Sequence, residues 1–125
     1  MPRVKPLQAA LMATPDETEA QFYEALQHAD LDRVMSVWSD DEDIACIHPG
    51  GPRLVGAQAI RSAFESLFAN GSVDARISQV RRIVAGGFAV HHVLEEIRVA
   101  TPEGPQRAYV LATNIFVKTP QGWRL

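Results

Sequence analysis

The sequence predicts an α+β domain in which three N-terminal helices lie against one face of a curved antiparallel sheet. Three observations lead there. Up to Phe68 the apolar residues recur at helical spacing, and from Val73 onward the pattern changes to strand-like runs. Between the two halves stands Asn70-Gly71, which stops a helix as a C-terminal cap does. Beyond it, Gly86-Gly87, Thr101-Pro102-Glu103-Gly104-Pro105 and Thr119-Pro120-Gln121-Gly122 divide the chain into four runs, 73–84, 88–100, 106–118 and 122–125, a meander of hairpins.

Residues 1–13 carry two prolines and no clear period, and are expected to form an arm ahead of a domain over 14–125. Thr14-Pro15-Asp16-Glu17 starts the first helix. Thr14 can cap, Pro15 suits the first helical position and Glu17 completes a capping box. Phe22, Ala25, Leu26 and Ala29 make its buried face. Asp30 can cap a short second helix in which Leu31, Val34, Met35 and Trp38 repeat that spacing. Asp43 to His48 reads as a strand, closed by Pro49-Gly50-Gly51-Pro52, with His48 at its end. Ile60, Ala63, Phe64, Leu67 and Phe68 then fall on one face of a third helix. A polar ring is thus set at the mouth of an apolar segment, the pattern of a pocket.

Composition narrows the function. The chain has 125 residues, 46% hydrophobic and 22% charged, enough for one core and unlike a disordered segment. A net charge of −3 gives no general attraction to nucleic acid or to an anionic membrane, and neither partner is expected. The one cysteine, Cys46, excludes an intrachain disulfide and reads as a small buried hydrophobe. No run approaches the roughly 20 apolar residues of a membrane span. Arg3 and Lys5 before LQAALMA only faintly imitate a signal peptide, so a cytoplasmic location is expected. The acidic run Asp40-Asp41-Glu42-Asp43 lacks the alternation and glycine of a calcium loop. His91 and His92 point to opposite faces of a strand, and no His, Cys and carboxylate set has metal spacing, so no metal or cofactor is expected. Phosphate-loop, nucleophile-elbow and dinucleotide fingerprints are absent from the sequence.

Alternation sorts the strand residues. His91, Val93, Glu95, Ile97 and Val99 share one face, which should turn to the helices. A carboxylate among branched aliphatics must find a partner there or shift its pKa upward. In the next strand Val110, Ala112, Asn114 and Phe116 share a face, and Tyr109, Leu111, Thr113, Ile115 and Val117 share the other. Both faces are apolar, whereas a strand with one wet face alternates more cleanly. The outer face is therefore expected to meet a second subunit, making a homodimer.

The strand ending in His48-Pro49-Gly50, the Leu54-Val55-Gly56 lead into a helix, Ala112-Thr113-Asn114-Ile115-Phe116 and Gly122-Trp123-Arg124-Leu125 together resemble the SnoaL-like, ketosteroid-isomerase-like branch of the nuclear transport factor 2-like superfamily. The resemblance spans about residues 15–125. It implies a cone-shaped barrel with a central cavity between helices and sheet, often dimeric through the outer sheet face. Members include isomerases, polyketide cyclases, dehydratases, epoxide hydrolases and non-enzymatic association domains, so fold alone leaves the activity open. The isomerase set of a carboxylate base, a tyrosine and a protonated acid does not map onto this chain. Tyr23 and Tyr109 are the only tyrosines, and neither falls where the oxyanion tyrosine is expected.

Two readings follow. In the first, the domain binds a small apolar ligand and acts as an isomerase, cyclase or hydrolase on an apolar cyclic or carbonyl-bearing substrate. Glu95 and His48 would carry proton transfer, and Trp38, Asp43, Arg53, Phe64, Asn114, Phe116 and Trp123 would hold the substrate. Asp43 is placed to orient His48 or Arg53. In the second, Glu95 and Asn114 satisfy each other and nearby groups, and the domain is a non-catalytic dimerisation or assembly unit.

Overall fold

The computed structural model describes residues 12–125. Among the described residues three α-helices and six β-strands follow in this order: α1 Pro15–Gln27, α2 Leu31–Ser36, β1 Ala45–Ile47, β2 Arg53–Val55, α3 Ala57–Phe68, β3 Asp74–Ala85, β4 Phe88–Thr101, β5 Gly104–Thr119 and β6 Gly122–Arg124. The last four form one antiparallel sheet in the order β3-β4-β5-β6, and the helices cover its inner face. This is a cone-shaped α+β fold.

Local chemistry sets most boundaries. Thr14 Oγ1 accepts the Glu17 N–H at 3.1 Å and fixes the start of α1 as its N-cap, while Glu17 Oε1 accepts from the Thr14 hydroxyl at 3.3 Å, so half of the expected capping box forms. Asp30 caps α2 in the same way through the Arg33 N–H at 3.1 Å. Gly86 sits at φ +50° between the paired residues Ala85 and Phe88, as a two-residue primed turn requires. The next hairpin is tighter than the sequence suggests: Thr101 pairs with Gly104, leaving only Pro102-Glu103 in the turn. A bulge breaks the β3–β4 register between Ser78 and Arg81, with Gln79 at φ +51°.

Two features were not read from the sequence. The elbow after His48 closes a small hairpin, in which β2 pairs with β1 from Ala45–Val55 to Ile47–Arg53. The other is the packing of Met12, which falls in the expected arm. Met12 is buried and its carbonyl accepts the Trp123 N–H at 2.8 Å, so the packed unit includes it; residues 1–11 lie outside the described part.

The main core lies between α1, α2, α3 and the inner sheet face, with Phe22, Leu26, Val34, Trp38, Ile60 and Phe64 at its centre. Phe22 holds Tyr23, Trp38 and Phe64 in edge-to-face contacts at centroid distances of 5.0, 6.5 and 6.1 Å. A smaller cluster of Ala89, Phe116 and Trp123 closes one end. No described helix is long and apolar enough to cross a membrane.

Candidate functional site

The strongest polar feature is a connected cluster between α1 and the inner face of β4 and β5. Glu95 and His91 come from β4, whose alternation turns them inward with Val93. Asn114 comes from β5, directly paired with His91. Glu19 and Tyr23 stand one turn apart on α1, on the helix face that also buries Phe22 and Leu26.

Hydrogen bonds order the cluster. The Tyr23 hydroxyl donates to Glu95 Oε2 at 2.6 Å. Asn114 Nδ2 donates to the Tyr23 oxygen at 3.1 Å and to Glu19 Oε2 at 3.0 Å. Glu19 Oε1 lies 2.9 Å from His91 Nδ1. His91 Nε2 stands 3.8 Å from Asp16, which accepts from Arg82 Nε at 2.8 Å. Two carboxylates, a phenol, an imidazole and an amide thereby close on one another. Glu19 and His91 are 2% and 1% exposed, so the satisfaction is what makes their burial tolerable. Burial, reinforced by the Glu95 charge, pushes the Tyr23 hydroxyl well above its ordinary range and keeps it a proton donor.

His48 lies just beyond β1, near enough for the Glu95 charge to act on it. Its ring packs on the edge of Phe64 at 5.1 Å, and its Nε2 is 3.6 Å from Cys46 Sγ. Burial lowers its pKa, opposed by the Glu95 charge. Burial, with a further push from Glu95, raises the Cys46 thiol to about 11, so it is no thiolate nucleophile near neutrality. The second oxygen of half-buried Glu95 has no hydrogen-bond partner among the described residues; the fully buried orphan polar atoms among them are Trp38 Nε1 and Arg124 Nε. The arrangement can therefore accept a proton or a hydrogen bond at Glu95 beside a neutral imidazole.

Of the residues singled out from the sequence, Glu95 and Asn114 share one cluster, and His48 and Phe64 border it. Trp38 is part of the main core. Phe116 sits under the His91 ring at 4.9 Å, at the Glu19 end of the cluster, and Trp123 packs beside it. Asp43 and Arg53 are exposed and make no hydrogen bond to His48 or to each other; the Asp43 N–H is instead held by Asp41 at 2.8 Å, and Arg53 lies on the wet side of the small hairpin. Tyr23, Glu19 and His91 are site residues that the sequence reading did not name. Asp16, Glu19 and His91 are close enough to share a metal ion; Asp16 also accepts from Arg82, and Glu19 from Asn114.

Two surface clefts lie elsewhere. One, of about 270 Å³, opens between the end of α2 and the first turn of α3 beside Trp38 and Asp40. The other, of about 450 Å³, follows the β3 bulge beside Arg81 and His92. Neither includes Glu95, His48 or Asn114.

Residues 16–125 match the family model of the SnoaL-like domain. The chain belongs to the SnoaL-like domain family. Among solved structures, this SnoaL-like domain is similar to a Thiobacillus denitrificans protein provisionally assigned as a calcium/calmodulin-dependent protein kinase type II association domain. That match has 31% identity, covers 91% of this chain and 90% of the other, and has a TM-score of 0.81. A Streptomyces avermitilis protein provisionally assigned as a dehydratase of the NTF2-like family is 26% identical over 99% and 93% of the two chains, with a TM-score of 0.77. The CaMKII hub of S. rosetta, 20% identical over 90% and 92% with a TM-score of 0.69, shares the fold. A comparison with curated proteins returns no match.

Proposed function

We propose that this SnoaL-like domain is a self-associating unit whose working surface is the outer face of β4 and β5. One observation carries the reading. Leu111, Tyr109, Ile115 and Phe88 are 69%, 59%, 56% and 48% exposed on a single continuous face. Leu94 lies opposite Leu111 and Val90 opposite Ile115, so apolar pairs span both strands on either side of the polar pair His92–Thr113. Such a patch is unusual on a soluble monomer. A second copy related by a two-fold axis would cover it with the same patch used twice. The likeness to an association domain at 31% identity supports this choice. Light scattering tests it: a wild-type dimer or larger assembly is expected, and Leu111→Glu, which places two unpartnered carboxylates near the axis, should give monomers. A monomeric wild type at micromolar concentration overturns the proposal.

A second reading is favoured by the open oxygen of Glu95 beside His48. In it, a cytoplasmic domain binds a small molecule there, and Glu95 takes a proton from an apolar cyclic or carbonyl-bearing substrate in the manner of an isomerase, cyclase or hydrolase. Tyr23 would hold Glu95 in place and His48 would serve as the second proton carrier. The similarity to a protein provisionally assigned as a dehydratase fits this reading. The two readings are compatible, since they use opposite faces of the sheet. A thermal-shift screen of apolar cyclic ligands, repeated on Glu95→Gln, tests the second; it fails if no ligand stabilises the wild type.

A further inference from the structure

We infer that the ligand selected at Glu95 is a cation with an N–H donor, a primary or secondary ammonium carried on an apolar body. The inference rests on the second reading above, that a small molecule reaches Glu95.

Counting donors sets the polarity of the site. Asn114 has two amide hydrogens; one lies on Glu19 and the other on Tyr23. Tyr23 has one, and it lies on Glu95. All three hydrogens of this part of the cluster run toward a carboxylate or toward the phenol that serves one. None of these three remains to receive an incoming carbonyl or carboxylate, and the His48 and Cys46 side chains, 3.6 Å apart, spend one of their two hydrogens on each other. The open position is an acceptor, the second oxygen of Glu95.

Charge points the same way. Glu19 is met by His91 and Asn114, and Asp16 by Arg82. Glu95 receives only a neutral phenol and forms no ion pair with a described residue. The groups that sense its field on the open side are the Cys46 thiol, which stays protonated, and His48, whose burial disfavours the imidazolium. Phe64 backs His48 with an aromatic ring. A half-buried carboxylate without a cation, beside aromatic carbon, suits an ammonium in both its charge and its apolar body. A carboxylate ligand would instead meet Glu95 with Glu19 behind it.

Benzylammonium, benzyl alcohol and benzoate are probes of similar shape and different charge. They are titrated into isotope-labelled protein at about pH 8, above the ordinary imidazole range, with backbone amide shifts read by NMR. Benzylammonium should shift the amides of Cys46, His48 and Ala112 and bind about tenfold or more tightly than benzoate, with the alcohol between them. Glu95→Gln should bring the three together, and His48→Ala should leave their order unchanged. Benzoate binding as well as benzylammonium, or an order that survives Glu95→Gln, overturns the charge assignment and leaves the small-molecule reading standing. No binding by any of the three overturns both.

Discussion

The inner and outer faces of the four-stranded sheet depart from ordinary composition in opposite directions. Inside, where aliphatic packing is the norm, β4 and β5 place Glu95, His91 and Asn114 against Glu19 and Tyr23 of α1. Outside, where polar residues are the norm, they place Leu111, Ile115, Tyr109 and Phe88. The inner departure is matched within the chain, because nearly every polar atom there has a partner. The outer departure has no match among the described residues. An internally matched anomaly bears on stability and on the chemistry of a site, whereas an unmatched one points to another molecule. At one end of the outer face charges meet: Arg98 and Arg107 stand 2.7 and 3.6 Å from Glu96, and hydrogen bonding to Arg98 first, then the nearby guanidinium charges, holds the Glu96 carboxyl below its usual range.

The comparison breaks first at Glu19. Glu19→Ala would leave His91 buried without its carboxylate and Asn114 with an idle hydrogen. Leaving a buried polar group without its partner costs about 1–3 kcal/mol, two such groups are affected, and urea unfolding should show a loss of about 2–5 kcal/mol. A loss below about 1 kcal/mol would mean that water already serves His91 and that the cluster is not closed. The same variant should keep the assembly state of the wild type, since Glu19 is on the far side of the sheet.

Tyr23→Phe should cost less, about 1.5–3 kcal/mol for a hydrogen bond to a charged group. It also has a pH signature. Burial and then the Glu95 charge raise the folded-state pKa of Tyr23 above its ordinary value of 10.0. Its contribution is therefore fully present below the unfolded value and is lost as pH rises through the folded one, because the unfolded chain releases the proton first. Stability measured above about pH 10 should fall more gently for Tyr23→Phe than for the wild type. Parallel curves would mean that the hydroxyl is not held as described.

The sequence carries the fold at the level where signals are local. The Thr14-Pro15 start, the Gly86-Gly87 turn and the switch of period after Gly71 each depend on a few neighbouring residues, and the elements fall within a residue or two of where those signals put them. The inner placement of Glu95 was legible for the same reason, since it shares a strand face with Val93. The small hairpin strand Arg53–Val55 was not, because three residues cannot display a period. Tyr23 was missed because its partner is 72 residues away, and because the buried face of α1 was read from apolar spacing alone. A local trace existed: Glu19 stands four residues before Tyr23, on a face otherwise filled by Phe22 and Leu26. Asp43 and Arg53 were placed near His48 on chain proximity, which says nothing about direction, and both point to solvent.

A smaller effect is expected at the start of α1. That helix carries Asp16, Glu19 and Tyr23, so its cap supports the whole inner cluster from outside it. Thr14→Ala removes the acceptor for the Glu17 N–H and should cost about 1 kcal/mol, the usual worth of such a cap. Thr14→Ser keeps the oxygen and should recover most of it. If the serine variant is as unstable as the alanine, the loss belongs to packing of the threonine methyl and not to the cap.

The smallest effect is the sharpest test of the outer face. Ile115 is 56% exposed and lies opposite Val90. Ile115→Thr keeps a β-branched side chain of high strand propensity and removes apolar surface. In the Leu111→Glu background, where the chain should be monomeric, the change should alter unfolding stability by less than about 0.5 kcal/mol, as expected for an exposed position. In the wild-type background the same change should lower the melting temperature in a manner that depends on protein concentration, because association stabilises the folded chain by mass action. The two backgrounds separate interface from core: an equal loss above about 1 kcal/mol in both, a size typical of a substitution with structural consequences, would mean that Ile115 is needed by the monomer itself and that the outer face is not a contact surface.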